Sequence, residues 1–305
     1  MEMKMTENNF KSGYVSVVGR PNVGKSTLLN AIIGEKISAI SSKPQTTRQN
    51  ITFIHTDEDS QIIFLDTPGI QKPKNKLGEF MLTESKEGIE DSDIITYIVD
   101  TSKRIGKAER SIIDILKEYK GELPIILLIN KVDTIKKDEL LEIISMYAEE
   151  DIFDDIIPIS AINNDGVDIY LETLKNFLKP GPMYYPEDMI TDKNERFIVS
   201  EIIREKGLKY LNEEVPHGLA ISIEKFKKRP DKNIYDIEAN IYVERDSHKG
   251  ILIGKKGSML KKIGTESREE AEKLLDAKVN LQIWVKVEKN WREKDNLVKR
   301  FGYDK

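Results

Sequence analysis

The sequence predicts an α/β domain with a mostly parallel sheet, followed by a smaller α+β domain. Three observations predict this class. Short apolar runs alternate with longer polar stretches of helical spacing, a proline-rich stretch then interrupts the pattern, and a different order of elements follows it. The predicted boundaries are residues 1–180 for the first domain, 181–190 for the linker and 191–305 for the second domain. The length of 305 residues fits two domains, since one domain commonly holds about 150 residues.

Five apolar runs in the first 180 residues predict buried strands, because they are short and rich in β-branched residues. They are residues 14–18, 62–65, 94–99, 125–129 and 156–159. Stretches with helical spacing lie between them, at residues 111–119, 138–149 and 167–178. Strands buried on both faces and separated by helices indicate a parallel sheet with right-handed crossovers.

The chain changes character near residue 180. Residues 179–188, KPGPMYYPED, contain three prolines and one glycine, which is typical of a linker. Up to residue 180 there are 22 basic and 30 acidic residues, whereas beyond it there are 26 basic and 23 acidic ones. The elements predicted after the linker are a helix at 193–212, strands at 217–226 and 234–244, a helix–turn–helix at 247–275 and a strand at 278–288.

Composition excludes several classes of protein. The absence of cysteine excludes disulfides, iron–sulfur clusters and cysteine nucleophiles, and three histidines leave little for a histidine-rich metal site. No apolar run approaches the roughly 18 residues of a membrane helix. The first 13 residues lack the apolar core of a secretory signal. We therefore expect a cytoplasmic protein.

A phosphate-binding loop is predicted directly after the first strand. Residues 19–26, GRPNVGKS, fit the pattern G-x-x-x-x-G-K-[ST] and precede an apolar helix. Gly19 and Gly24 allow close approach of the backbone, and the loop amides and helix N-terminus point at a phosphate. Lys25 can reach the β- and γ-phosphate oxygens, and the Ser26 hydroxyl can ligate Mg²⁺. The pattern predicts a nucleoside triphosphate site.

Two further motifs follow strands on the same sheet edge. In DTPG, residues 66–69, Asp66 is expected to hold Mg²⁺ through its water shell, and the Gly69 amide can bond the γ-phosphate. In NKVD, residues 130–133, the Asp133 carboxylate can accept two hydrogen bonds from guanine that adenine does not offer. The Lys131 stem can cover the base, and the Ser160–Ala161 backbone can donate to guanine O6. The four motifs favour GTP over ATP.

The second domain carries a basic loop between two short apolar helices. Gly254-Lys255-Lys256-Gly257 fits the GXXG loop of a KH domain, and the order of elements matches the type II arrangement. Residues 245–262 hold six basic residues and one acid. The predicted ligand is single-stranded RNA, because the major groove of duplex RNA is too narrow to read. The adjacent groove is predicted to be lined by Ile251, Ile253 and Ile263.

Taken together, GRPNVGKST, QTTRQ (Gln45–Gln49), DTPG, NKVD, SA and GKKG resemble the Era family of P-loop GTPases over essentially the whole chain. The resemblance implies a GTP-hydrolysing, RNA-binding switch that binds 16S rRNA near its 3′ end and assists 30S ribosomal subunit assembly. It implies GTP, GDP and Mg²⁺ as ligands, with K⁺ as a further candidate. QTTRQ would be the first switch, in which either Thr46 or Thr47 closes on Mg²⁺. It also implies a monomer with a tendency towards peripheral membrane association.

One position departs from many regulatory GTPases. Ile70 follows DTPG, where others carry a glutamine that orients the attacking water. We therefore expect slow intrinsic hydrolysis, with water placed by the backbone, by solvent or by a monovalent ion. Asn22 resembles a K⁺ ligand of related GTPases, but a turn former after Pro21 is an equal alternative.

Other features leave alternatives open. The cluster at residues 225–232, KFKKRPDK, is either a solvated hairpin or a phosphate contact, and Trp291 of the tail either packs against its domain or lies at the RNA. The stretch 71–89, with Lys72, Lys74 and Lys76, is the predicted transmitter between domains. The rival classes are a tRNA-modifying GTPase, which the missing cysteine and the GKKG loop disfavour, and an RNA-binding protein that senses GTP without turnover.

The candidate site residues fall into four groups. The catalytic group is Lys25, Thr46, Thr47, Asp66 and Gly69, and the metal ligands are Ser26, Thr47 and Asp66. The nucleotide-binding group is Gly19, Arg20, Pro21, Asn22, Val23, Gly24, Lys25, Ser26, Thr27, Asp66, Thr67, Pro68, Gly69, Ile70, Asn130, Lys131, Val132, Asp133, Ser160 and Ala161. The RNA-binding group is Ile251, Ile253, Gly254, Lys255, Lys256, Gly257 and Lys261.

Overall fold

A computed structural model describes residues 10–40, 43 and 46–303. By its internal contacts the chain forms two compact units. Unit 1 comprises residues 1–36, 49–71 and 81–192, and unit 2 comprises residues 37–48, 72–80 and 193–305. Unit 2 therefore includes two stretches from the first third of the chain, which the sequence analysis placed with the first domain.

Unit 1 is built on a parallel sheet with helices in the crossovers. In chain order its elements are β1 (Lys11–Gly19), α1 (Lys25–Ile33), β2 (Ile51–Thr56), β3 (Ser60–Asp66), α2 (Lys76–Glu90), β4 (Ile94–Val99), α3 (Lys107–Leu116), β5 (Ile125–Ile129), α4 (Lys137–Ala148), β6 (Asp155–Pro158), α5 (Val167–Phe177) and β7 (Lys179–Pro180). The first turn of α2, up to Phe80, belongs to unit 2. The strand order is β2-β3-β1-β4-β5-β6, and β7 pairs with β1. All neighbours along this order are parallel except β2, which runs antiparallel to β3.

The strands β4 and β5 show why these residues form a central sheet. Every residue of both strands is buried, so both faces are covered and the sequence is a continuous apolar run. The five predicted strands are confirmed as β1 and β3 to β6. The sequence analysis missed the edge strand β2, ITFIHT, which mixes polar with apolar residues. It also missed α2, most of which falls in the stretch 71–89 that was predicted to be the transmitter.

The predicted linker runs along unit 1. The Gly181 N–H donates to the Phe10 carbonyl over 3.0 Å, and the Gln61 side-chain oxygen accepts from the Tyr184 and Tyr185 amides. At its end the Ile190 carbonyl accepts from Ile54 N–H of β2 over 2.9 Å. The segment is therefore hydrogen-bonded to the sheet domain along its length and turns at residues 186–189, where the Met189 N–H donates to the Pro186 carbonyl over 3.0 Å.

Unit 2 carries a three-stranded sheet covered by helices. Its elements are α6 (Glu195–Tyr210), β8 (Ala220–Lys228), β9 (Ile234–Val243), α7 (Asp246–Ile253), α8 (Ser258–Leu274), β10 (Lys278–Val287) and α9 (Asp295–Arg300). The strand order is β10-β9-β8, with β10 parallel and β8 antiparallel to β9. The inner residues of β9, among them Ile237 and Ile241, pack against α6, α7 and α8 in one apolar core. The predicted helix–strand–strand–helix–helix–strand order is confirmed.

Within the described ranges, we find no helix with the length and apolar character needed to cross a membrane.

Candidate functional site

The phosphate loop joins β1 to α1 at the carboxyl edge of the sheet of unit 1. Lys25 is the first residue of α1 and is 6% exposed. Its ammonium group donates to the carbonyls of Gly19 at 3.4 Å and Arg20 at 3.2 Å. Burial lowers the pKa of Lys25, and the charge of Asp66 opposes that shift. A buried ammonium group held by two backbone carbonyls fits a site that receives anionic phosphate oxygens.

Ser26 and Asp66 lie side by side. The Ser26 hydroxyl donates to the Asp66 carboxylate over 3.0 Å, and Asp66, the last residue of β3, is fully buried. A hydroxyl and a carboxylate are hard oxygen ligands of the kind that Mg²⁺ prefers, directly or through its waters. The structure thus brings together two of the three predicted metal ligands, and their chemistry fits that ion.

Asn130 ties the loop to the base-reading motifs. It is 2% exposed, and its amide group donates to the Val23 carbonyl over 2.8 Å. Its side-chain oxygen accepts from the backbone N–H groups of Lys131 at 2.8 Å and Ala161 at 3.0 Å. One buried side chain therefore fixes three of the predicted motifs relative to one another.

The carboxylate predicted to read guanine is hydrogen-bonded to the fourth motif, Ser160–Ala161. Asp133 is exposed, and its carboxylate accepts from the Ser160 hydroxyl over 2.6 Å. The Lys131 ammonium reaches the Asn22 carbonyl over 2.8 Å, so its methylene stem spans the distance to the phosphate loop. The Ala161 N–H donates to Asn130 in this structure, and its role towards guanine O6 stays a prediction.

Some predicted nucleotide-binding residues use their side chains elsewhere. Arg20 forms ion pairs with Asp100 and Glu109, so the guanidinium supports the loop from outside the phosphate cradle. The Thr67 hydroxyl donates to the Val17 carbonyl over 2.9 Å. Three further side chains are packed in the apolar interior: Val23, Ile70 and Val132. Burial or pairing occupies these five side chains, and the listing of the residues as nucleotide-binding stays a prediction.

Ile70 and Asn22 bear on the hydrolysis step. Ile70 is 5% exposed and belongs to the same apolar core as Val18, so its side chain cannot reach an attacking water. Asn22 has a φ of 69°, a left-handed conformation that asparagine tolerates, which supports its reading as a turn former after Pro21. The Gly69 backbone lies against Pro21, because a Cβ at Gly69 would stand 2.9 Å from the Pro21 nitrogen.

The switch threonines belong to unit 2 by their contacts. The Thr46 hydroxyl donates to the Lys43 carbonyl over 2.6 Å, and its own carbonyl accepts from Arg204. Thr47 is 5% exposed. Gln45, the first residue of the predicted switch motif, lies outside the described residues. The choice between Thr46 and Thr47 as metal ligand stays a prediction.

The basic loop of unit 2 joins α7 to α8. Gly254, Lys256 and Gly257 all have positive φ, at 73°, 52° and 78°. A Cβ at Gly254 would stand 2.8 Å from the Met259 Cβ, so the loop is too tight there for a side chain. Lys255 and Lys256 are both exposed at its tip. The loop therefore presents backbone and two cations to solvent, as binding of a single-stranded phosphate backbone requires.

The apolar groove differs from its prediction at one residue. Ile251 is 51% exposed and Ile253 is half-buried, but Ile263 is fully buried in the core and cannot contact a base. Leu281 and Ile283 of the edge strand β10 are half-buried and pack against the same core.

Trp291 of the tail packs against its domain, whereas both alternatives for the basic hairpin stay open. Trp291 is fully buried, and its indole N–H donates to the Gly218 carbonyl over 2.9 Å. In the hairpin, Lys225 pairs with Glu238 at 3.1 Å and Arg229 pairs with Asp236 at 2.6 Å, each across the two strands. The pairs neutralise part of this cluster, so the GKKG loop is the stronger candidate for RNA.

A phosphate loop with a guanine-reading motif, followed by a KH-type loop, defines the class of P-loop GTPases with an RNA-binding module. Comparison with protein families agrees: residues 14–131 match the family described as 50S ribosome-binding GTPase, and residues 214–292 match the KH domain.

The particular family follows from full-length relatives. The chain is 55% identical to GTPase Era of Clostridioides difficile (strain 630) over 296 residues, covering 97% of this chain and 99% of the relative. It is 48% identical to GTPase Era of Alkaliphilus metalliredigens, again over 97% of this chain. The chain belongs to the Era GTPase family, which confirms the resemblance, the fold class and the prediction of GTP hydrolysis.

Two solved structures share the fold over nearly the whole chain. One is Era in complex with MgGDPNP and nucleotides 1506–1542 of 16S ribosomal RNA, and the other is a variant of Aquifex aeolicus Era bound to GDP and AlF4⁻. Each has a TM-score of 0.91 and 38% sequence identity, and each alignment covers 97% of this chain and all of the other.

Proposed function

We propose that this chain is a GTP-dependent RNA-binding switch that binds 16S rRNA near its 3′ end and assists assembly of the 30S subunit. The observation that carries the proposal is the Era structure with MgGDPNP and 16S rRNA nucleotides, which aligns with 97% of this chain. The chain's own exposed GKKG loop supports it, because the loop supplies the cations and the open backbone that RNA phosphates need.

The proposed ligands of unit 1 are GTP or GDP with Mg²⁺. Lys25 and the loop amides would bind the β- and γ-phosphates, while Ser26 and Asp66 would hold the metal. The ion, when bound, neutralises charge on the transferring phosphoryl group. Asp133, oriented by Ser160, would select guanine. None of these residues forms a covalent bond, so catalysis consists of positioning and electrostatic stabilisation.

We expect the double variant Lys255→Asp/Lys256→Asp to lose at least about tenfold in affinity for RNA, because two phosphate contacts become repulsive. The measurement is filter binding of the full chain, with bound GTP analogue, to an RNA matching the 3′ end of 16S rRNA. The matched control is Lys136→Asp/Lys137→Asp at the start of α4, which makes the same charge change on unit 1. Equal affinity of the GKKG variant and the wild type would reject the proposed RNA site.

The position of the attacking water leads to a further expectation. Since the buried Ile70 cannot orient water, a monovalent ion near Asn22 is a proposed substitute. Replacing K⁺ by Na⁺ should then lower the rate of phosphate release, and Asn22→Ala should make the rate insensitive to the exchange. The measurement is phosphate release under saturating GTP at constant ionic strength. An unchanged rate in Na⁺ would argue that backbone or solvent alone positions the water.

The remaining parts of the proposal are coarser. We propose a cytoplasmic location and a monomeric state, on the resemblance of the whole chain to Era. Peripheral membrane association stays a prediction of that resemblance, without support from the described residues.

A further inference from the structure

The stretch 37–48, which carries the switch threonines, is anchored in unit 2 at several points. The backbone N–H of Ile40 donates to the Glu205 carboxylate of α6 over 2.9 Å. The Thr46 carbonyl accepts from Arg204, also of α6, and Arg204 is 1% exposed. The switch stretch is therefore bonded to a helix that precedes the RNA-binding loop in the same unit.

Arg48 makes the most extensive of these contacts. It is 2% exposed, and its guanidinium donates to the carbonyl of Leu219 at 2.5 Å, to that of His217 at 3.0 Å and to the Tyr303 hydroxyl at 3.1 Å. Its central carbon lies 5.8 Å from the ring centre of Trp291 and 5.7 Å from that of Tyr303. Carbonyl dipoles and aromatic faces, rather than a carboxylate in ion-pair contact, hold this cation in the described structure.

The aromatic partners come from the last fifteen residues of the chain. Trp291 and Tyr303 stack with ring centres 5.9 Å apart and an interplanar angle of 16°. Phe80, from the second early stretch of unit 2, also contacts Tyr303, with ring centres 6.0 Å apart. The stretches 37–48 and 72–80 lie on either side of the pair β2–β3 in the sequence. Through Arg48 and Phe80, each of them contacts Tyr303 of the C-terminal tail.

The guanidinium of Arg48 is closely packed, but not all of its hydrogen-bond donors are paired within the described residues. The Nε of Arg48 is buried without a hydrogen-bond partner among the described residues. Burial is also the main cause that lowers the pKa of Arg48. A cation that is buried with one donor unpaired can exchange this arrangement for another more readily than a fully satisfied one.

We infer that Arg48 couples the nucleotide state to unit 2, as a positioning residue that acts through Trp291 and Tyr303. The inference rests on the proposed function. Thr47 is bonded directly to Arg48 in the chain, so a change in this stretch that depends on the nucleotide would shift the peptide that holds the guanidinium. The bonds to His217, Leu219 and Tyr303 would then change as well. By linkage, the tail in turn affects the affinity for the triphosphate.

The test compares RNA affinity in two nucleotide states, with the full chain, saturating GDP or GDPNP with Mg²⁺, and an RNA matching the 3′ end of 16S rRNA. For the wild type we expect the two dissociation constants to differ by about 5- to 150-fold. In Arg48→Gln the ratio should fall to about one, while the affinity for GDP stays unchanged because the phosphate loop is untouched. Arg48→Lys keeps the charge but not the forked donors, and should restore only part of the ratio.

Two further variants keep the test decisive. Arg110→Gln removes the same charge from an exposed ion pair with Glu150 in unit 1, and should keep the wild-type ratio. Tyr303→Phe keeps the ring but removes one bond to Arg48, so it should lower the ratio even where Arg48→Gln folds poorly.

The outcomes separate the inference from the function it rests on. A wild-type ratio in both Arg48→Gln and Tyr303→Phe would overturn the inference and leave the proposed function standing. Equal weakening of RNA binding in both nucleotide states would also overturn it, since that is the signature of a purely structural residue. A wild-type chain that binds RNA equally with GDP and GDPNP would refute the switch itself.

Discussion

The variant Gly24→Ala should lose at least about 100-fold in affinity for both GTP and GDP. Gly24 has a φ of 108°, and a Cβ there would overlap the Nδ2 of Asn130. Asn130 cannot move away without cost, because the same nitrogen donates to the Val23 carbonyl. The methyl group would therefore displace both the phosphate loop and the residue that links it to the base-reading motifs. Titration with fluorescent GDP and GTP measures the effect.

A matched control separates the clash from backbone strain. Gly34 ends α1 with a φ of 77°, and a Cβ there would meet nothing within 4 Å. Gly34→Ala should therefore show a similar strain of about 1–2 kcal/mol in thermal unfolding, with nucleotide affinity near that of the wild type. If both alanine variants bound GTP equally well, the contact with Asn130 would not be what requires glycine.

The variant Asp133→Asn should lose its preference for GTP over ATP, with GTP affinity reduced by about 100-fold or more. The carboxylate is the group that accepts two hydrogen bonds from guanine, and each lost or mismatched buried bond costs about 1–3 kcal/mol. An asparagine presents a donor where guanine also presents one. Competition between GTP and ATP for the full chain with Mg²⁺ gives the preference directly.

Two further variants serve as controls for the effect of Asp133→Asn. Asp138→Asn makes the same charge change at the exposed start of α4 and should leave the preference unchanged. Ser160→Ala removes the hydroxyl that donates to Asp133 over 2.6 Å, and should reduce GTP affinity only several-fold, because the carboxylate remains but is less well oriented. Retained discrimination in Asp133→Asn would mean that another group reads the base.

The sequence predicts this nucleotide site well because its chemistry depends on short spacings. The loop from Gly19 to Ser26 and the motifs at Asp66 and Asp133 each follow a buried strand, and parallel strands bring their carboxyl ends to one edge. Local patterns therefore suffice to place these residues together. Side-chain direction is less predictable: Arg20 of the loop forms two ion pairs, and Ile70, directly after DTPG, packs in the core.

The contacts of the stretch 37–48 could not be predicted from local sequence patterns. Arg48 meets Tyr303 across 255 positions of the chain, and no periodicity links an arginine in a polar segment to a tail tyrosine. The buried environment of Trp291 was one of two open alternatives for the same reason. A polar residue that is buried through long-range partners leaves no local signal, since burial depends on the assembled tertiary structure.

The segment after Pro180 also has a consequence for aggregation. β2 lies at the border of the sheet, where its outward N–H and C=O groups would otherwise offer a template to another polypeptide. Ile190 and Thr191 occupy part of that border, through the Ile54 N–H and the Thr52 carbonyl. A fragment truncated at Pro180 would expose the backbone of the edge strand β2 to pairing with another chain. If the first domain is expressed on its own, residues up to Asp192 should therefore be retained.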